Sequence, residues 1–143
     1  MPKAPFSSEL TVATHGKGAV DVTEEIRRLA AASGVRTGTC TIFVKHTSAS
    51  LVIQENADPS VRRDLARWLE HIAPERPAFG PWEHDDEGPD DMPAHVRAAL
   101  TQTQLSIPVR GGAPLLGTWQ AVYLYEHRTS PHQRELALHF VGE

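Results

Sequence analysis

The segment QLSIPVRGGAPLLGTWQAVYLYE, residues 104–126, decides the fold class. Its β-branched and apolar runs are broken by turn residues, so it reads as strand Gln104–Val109, turn Arg110-Gly111-Gly112-Ala113-Pro114, and strand Leu116–Glu126. Thr129-Ser130-Pro131-His132 makes the next turn and Glu135–Val141 the next strand, which gives the C-terminal half the order of a meander. Upstream, Phe6, Leu10 and Val12 share the parity of an opening strand, and His15-Gly16-Lys17-Gly18 supplies a turn. Thr39 to Ile53 reads as two strand pieces around the polar interruption His46-Thr47-Ser48-Ala49-Ser50.

Helices lie among these strands. The first has Asp21 as cap with Glu24 three residues on, Val22, Ile26, Leu29 and Ala30 on one face, and Gly34 at its end. The second opens on Asp58-Pro59 and buries Val61, Leu65, Trp68, Leu69 and Ile72. A third, short one runs from about Met92 to Thr101 behind Asp91, with Val96, Ala99 and Leu100 inward. Helices among mainly antiparallel strands predict an α+β fold: a compact single domain over residues 1–143, a mainly antiparallel sheet or sandwich with two to three helices.

Composition narrows the function. With 143 residues, 40% hydrophobic and 22% charged, the chain has the length and make-up of one globular core. No apolar run approaches the roughly 18 residues of a membrane span, and the start lacks a secretory signal, so the expected location is cytoplasmic. A formal charge of −4 with scattered lysines and arginines disfavours nucleic acid as a partner. Cys40, the one cysteine, sits in an apolar stretch where a thiol behaves as a small buried hydrophobe.

From Ala73 to Pro93, five prolines and no sustained period mark a long irregular loop, which carries six acids between Glu83 and Asp91. Eight histidines occur in the chain. His15, His71, His132 and His139 have nothing to lift them above turn, helix-end or outward strand positions. His46, His84, His95 and His127 sit at element edges beside hydroxyls or carboxylates, a context that suits a metal, an anion, or general acid–base work. Their spacing matches no compact metal motif. Thr118 and Gln120 share one face of a strand that either lines a pocket or is merely solvated, and Arg128 is a candidate clamp for phosphate or carboxylate.

Five stretches carry a resemblance. His46-Thr47-Ser48-Ala49-Ser50-Leu51, Glu55-Asn56 with Asp58-Pro59, the run from His84 to His95, Gly117-Thr118-Trp119-Gln120 and Glu126-His127-Arg128 stand in the order of the YjbQ family, which the chain resembles over nearly its whole length. That resemblance implies a secondary thiamine-phosphate synthase, which joins a pyrimidine pyrophosphate to a thiazole phosphate and releases pyrophosphate, in a trimeric α+β protein. It implies His46, His95, His127, Glu126 and Asp91 as catalytic residues. Ser48, Asn56, Thr118, Gln120 and Arg128 become substrate contacts, and His46, His84, His95 and His127 ligands of a divalent zinc or magnesium ion. The expected partners are a small phosphorylated heterocycle and two further copies of the chain. A metal-dependent hydrolase of a small phosphorylated metabolite, or a protein that binds a metabolite or metal without turnover, are the alternatives. The sequence departs from the family after Arg128, where Pro131-His132-Gln133-Arg134-Glu135 leaves one arginine in place of a pair.

Overall fold

Along β8 (His132–Gly142) Arg134, Leu136, Leu138 and Phe140 turn inward and their neighbours outward, the alternation of a sheet with one wet face. The computed structural model describes residues 1–143 and builds two antiparallel sheets on that pattern. β1 (Phe6–Thr14), β8, β3 (Thr37–Val44), β5 (Gln104–Arg110) and β6 (Ala113–Pro114) form the larger, in that spatial order. β2 (Gly18–Asp21), β7 (Gln120–Glu126) and β4 (Ala49–Glu55) form the smaller. With helices α1 (Thr23–Ser33), α2 (Pro59–Ile72) and α3 (Asp91–Leu100), the fold is α+β.

The inner faces share one core, in which Ile42, Val44, Leu136, Leu138 and Phe140 of the larger sheet join Leu51, Val122 and Leu124 of the smaller and Ile26 and Ala30 of α1. Tyr123 and Tyr125 lie on the other face of β7, where Arg62 of α2 reaches the Tyr123 hydroxyl at 3.0 Å. Arg97 of α3 and Leu69 of α2 line a small cavity with Tyr125.

Several expectations change. The last strands are no meander: β5 pairs with β3, β7 with β2 and β4, and β8 with β1 and β3. The strand expected from Leu116 starts only at Gln120, because the Gln120 side chain accepts from the Gly117 N–H at 2.7 Å and closes a turn that holds Thr118 and Trp119. In α2 only Leu69 is fully buried and Trp68 stays 53% exposed, so the apolar stripe is half covered. α3 is capped at Asp90, which makes Asp91 its first residue, and Leu100 points outward. β2, four residues long, escaped the sequence reading. No helix is long and apolar enough to cross a membrane.

Candidate cation-binding site

Three segments meet at one end of the sandwich: the β3–β4 loop, the start of α3 with the acid loop before it, and the chain after β7. Glu126, the last residue of β7, lies fully buried between the sheets. Its Oε1 accepts from Thr14 Oγ1 at 2.6 Å and Arg134 Nε at 2.7 Å. Its Oε2 accepts from Arg134 Nη2 and from the backbone N–H groups of His127 and Arg128 at 3.0 and 3.1 Å. Burial alone would raise this carboxyl, but the bonds from Arg134 and Thr14 hold it below the usual range. Arg134 Nη2 donates onward to Ser48 Oγ at 3.0 Å. Glu126, expected as a catalytic group, and Ser48, expected at the substrate, thus face inward with their hydrogen bonds taken.

Two histidines each have one ring nitrogen engaged, while the buried Nδ1 of His127 has no hydrogen-bond partner. The His127 ring stacks on Tyr125, with centroids 4.9 Å apart, and its Nε2 meets Ser50 Oγ at 2.8 Å. Burial, and next the charge of Arg97, push it down to about 4, so it is neutral and shut away from solvent at ordinary pH. His46 accepts the Glu135 backbone N–H on Nε2 at 2.8 Å, and burial followed by Arg134 lowers its pKa as well.

The other two converge. His84 Nε2 and His95 Nε2 lie 2.7 and 3.2 Å from the same atom, Asp91 Oδ2, and the three donor atoms are all within 4.8 Å of one another. Asp91 and His95 stand one turn apart on α3, which puts them on one face. His95 Nδ1 lies 3.0 Å from the Thr47 carbonyl, which can only accept. Nε2 faces the Asp91 carboxylate, which also only accepts, so each ring nitrogen of His95 meets an acceptor; with an ion at Nε2 the Thr47 carbonyl would hold the remaining proton on Nδ1. Arg128 holds the opposite side: Nη1 is 2.9 Å from Asp91 Oδ1, Nε donates to Asp90 Oδ2 at 2.9 Å, and Nη2 donates to the Glu87 carbonyl at 2.8 Å. Gly88, at φ +105°, brings the loop so close to this clamp that a Cβ would sit 3.1 Å from Asp90 Oδ1. Burial acts to raise the Asp91 carboxyl, yet His84, His95 and Arg128 together hold it low, while the bond to Asp91 raises His84.

Of the four histidines expected as ligands, His84 and His95 are brought together, and His46 and His127 are not. Asp91 takes the third place, and the signal that would have found it is the four-residue spacing to His95. Arg128, expected as a substrate clamp, is turned to Asp90 and Asp91, with its third contact at the Glu87 carbonyl. Asn56, Thr118 and Gln120 lie at the far end of the smaller sheet, where Gln120 pairs with Glu55, some six residues along β7 from Glu126, or about 20 Å. Beside His84 opens a depression of about 590 Å³ lined by Trp82, Glu83, Asp85, Asp86 and Met92.

The fold and the cluster define a class: a two-sheet α+β protein with a carboxylate flanked by two imidazoles at the end of its sandwich. A family described as UPF0047 protein YjbQ-like matches residues 8–143, and the chain belongs to it. The chain is 52% identical over 134 residues to a UPF0047 protein of Synechocystis, covering 94% of this chain and 90% of that protein. It is 38% identical over 139 residues to the UPF0047 protein YjbQ of Escherichia coli O157:H7, covering 96% and 99%. A YjbQ/UPF0047 structure from Clostridium acetobutylicum, 30% identical, superposes with a TM-score of 0.81 over 94% of this chain and 98% of that one. The fold is also that of a protein of unknown function from Sulfolobus solfataricus, at a TM-score of 0.88 over both whole chains.

Proposed function

We propose that the protein is a metal-dependent enzyme acting on a small phosphorylated metabolite, with the ion held by His84 Nε2, His95 Nε2 and Asp91 Oδ2. The observation that supports this best is the convergence of those three atoms within 4.8 Å, with the Thr47 carbonyl behind His95. Two imidazoles and a carboxylate suit zinc or another first-row divalent ion, whereas magnesium favours an all-oxygen shell. When bound, such an ion supplies Lewis acidity toward a phosphoryl oxygen and a coordination position open to ligand. The chain's own part is to hold that position. Asp91 and His95 are fixed on α3, and Arg128 neutralises Asp90 and Asp91. His84 Nδ1 lies 3.5 Å from Asp86, a carboxylate that would hold the remaining ring proton when Nε2 turns to an ion.

On family grounds the substrates are the pyrimidine pyrophosphate and thiazole phosphate of thiamine-phosphate synthesis, with catalysis in a trimer. Arg128 and Arg134 are both neutralised by buried or half-buried carboxylates, so neither of these two guanidinium groups is free to meet a leaving pyrophosphate, which keeps the hydrolase alternative in view. The test is elemental analysis of purified protein, followed by incubation with both heterocyclic phosphates. Equal yields of thiamine phosphate and pyrophosphate, lost in Asp91→Ala, support synthesis, while free inorganic phosphate alone supports hydrolysis. Equal rates in wild type and Asp91→Ala would remove the cluster from the reaction.

A further inference from the structure

Two buried side-chain polar atoms lack a hydrogen-bond partner, His127 Nδ1 and Arg97 Nε. Arg97 stands on α3 two residues beyond His95, so it leaves the helix on another side and takes no part in the cation cluster. It is 4% exposed and borders a cavity of about 60 Å³ that Lys17, Ala66, Leu69, Glu70 and Tyr125 also line. Its Nη2 donates to the Ala73 carbonyl at 3.1 Å and lies 3.2 Å from Glu70 Oε1. The same Glu70 oxygen accepts from Lys17 Nζ at 2.7 Å. Two cations thus share one carboxylate, and that carboxylate is half exposed while Arg97 is shut in. One positive charge is left over at the cavity wall, beside an N–H with nothing to accept it.

A buried charge needs a partner, and a buried donor left alone carries its full desolvation cost. Water in the cavity would satisfy the N–H and leave the charge uncompensated. Volume restricts what else can enter: at about 30 Å³ for each molecule of liquid water, the space takes about two water-sized guests. A phosphorylated metabolite is too large, whereas a halide ion fits. We propose that this cavity is a binding site for one small monoanion of halide size, held by Arg97 Nε and Lys17 Nζ. The site shares no residue with the cation cluster and does not depend on it. It lies where α2, α3, the start of β2 and β7 come together, so the anion ties α3, the helix that carries Asp91 and His95, to its neighbours.

The experiment is thermal melting of the full chain as chloride replaces gluconate at constant ionic strength, gluconate being too large to enter, with the ion located in bromide-soaked crystals. In wild type the melting midpoint should climb along a saturating curve with chloride and with bromide, as for any ligand that binds the folded state alone. An anomalous bromide peak should stand beside Arg97 Nε. Lys17→Met, a change at a partly exposed position, should weaken chloride about tenfold, the scale of one hydrogen bond to a charged group. Glu70→Gln should tighten it by a similar factor, because the carboxylate that competes for both cations is gone. Arg97→Met should abolish the response; if that variant does not fold, Glu70→Gln decides. A wild-type midpoint indifferent to chloride, a response retained in folded Arg97→Met, or one unchanged in Glu70→Gln overturns the inference, and so does a bromide-soaked crystal with water alone in the cavity.

Discussion

Acid should weaken this protein well before its carboxylates protonate, because of His127. Its ring is buried at 1% exposure and is held down to about 4 by burial and by Arg97, against 6.5 for an ordinary histidine. Since its folded pKa is depressed, the unfolded chain binds the extra proton between about pH 4 and 6.5. The stability is present in full above 6.5 and is lost as pH falls through that window. The gap corresponds to ~3 kcal/mol across the whole window and ~2 kcal/mol between about pH 7.5 and 5. Urea unfolding of wild type at those two values should show that loss, and His127→Gln, which cannot charge, should lose about 2 kcal/mol less. His46, depressed in the same direction, remains in both proteins and cancels in the comparison. Equal losses in the two proteins, or a His127 ring that titrates near 6.5 while folded, would refute the reasoning.

Asp91→Asn should leave the fold intact, since the amide still accepts on one side, but abolish measurable zinc or cobalt binding, whereas His46→Ala should retain it; calorimetric titration of both checks the ligand set. Gly38→Ala should lower stability by about 2 kcal/mol or more, read in thermal melts, because a Cβ there would stand 2.0 Å from the Val141 carbonyl oxygen of the paired strand. Burial pushes the Cys40 thiol up to about 12, so it should resist a thiol reagent at mildly alkaline pH and react at once in denaturant.

How much could be read without coordinates depended on the range of the signal. The Asp58 cap and Pro59 start of α2 are local chemistry and were legible; the structure has Asp58 Oδ1 accepting the Ser60 N–H at 2.9 Å. That Trp68 stays exposed was not legible, because an amphipathic stripe gives the side a helix turns inward but not how much of it is covered. Period two likewise assigns faces and not neighbours, so residues 104–141 gave strands and the wrong pairing. At the site, Asp91 and His95 were both expected as functional residues, and their four-residue spacing makes them legible as a pair on one helical face. The roles of Glu126 and Ser48 depend on Arg134 and Thr14, residues brought in from the other sheet, and no spacing in the sequence announces that.

The position of β8 bears on how the chain reaches its fold. Its residues 132–142 lie between β1 and β3, so the larger sheet has no middle until they are in place. While the chain is being made, β3 must wait through about ninety residues of synthesis and β1 through about a hundred and twenty, with open edges toward a strand that does not yet exist. β3 can pair with β5 in the meantime, but β1 has no other partner in the sheet. Folding should therefore be slow and late, closing in one step when β8 enters, and a ribosome stalled before residue 132 would expose an unpaired edge to other chains.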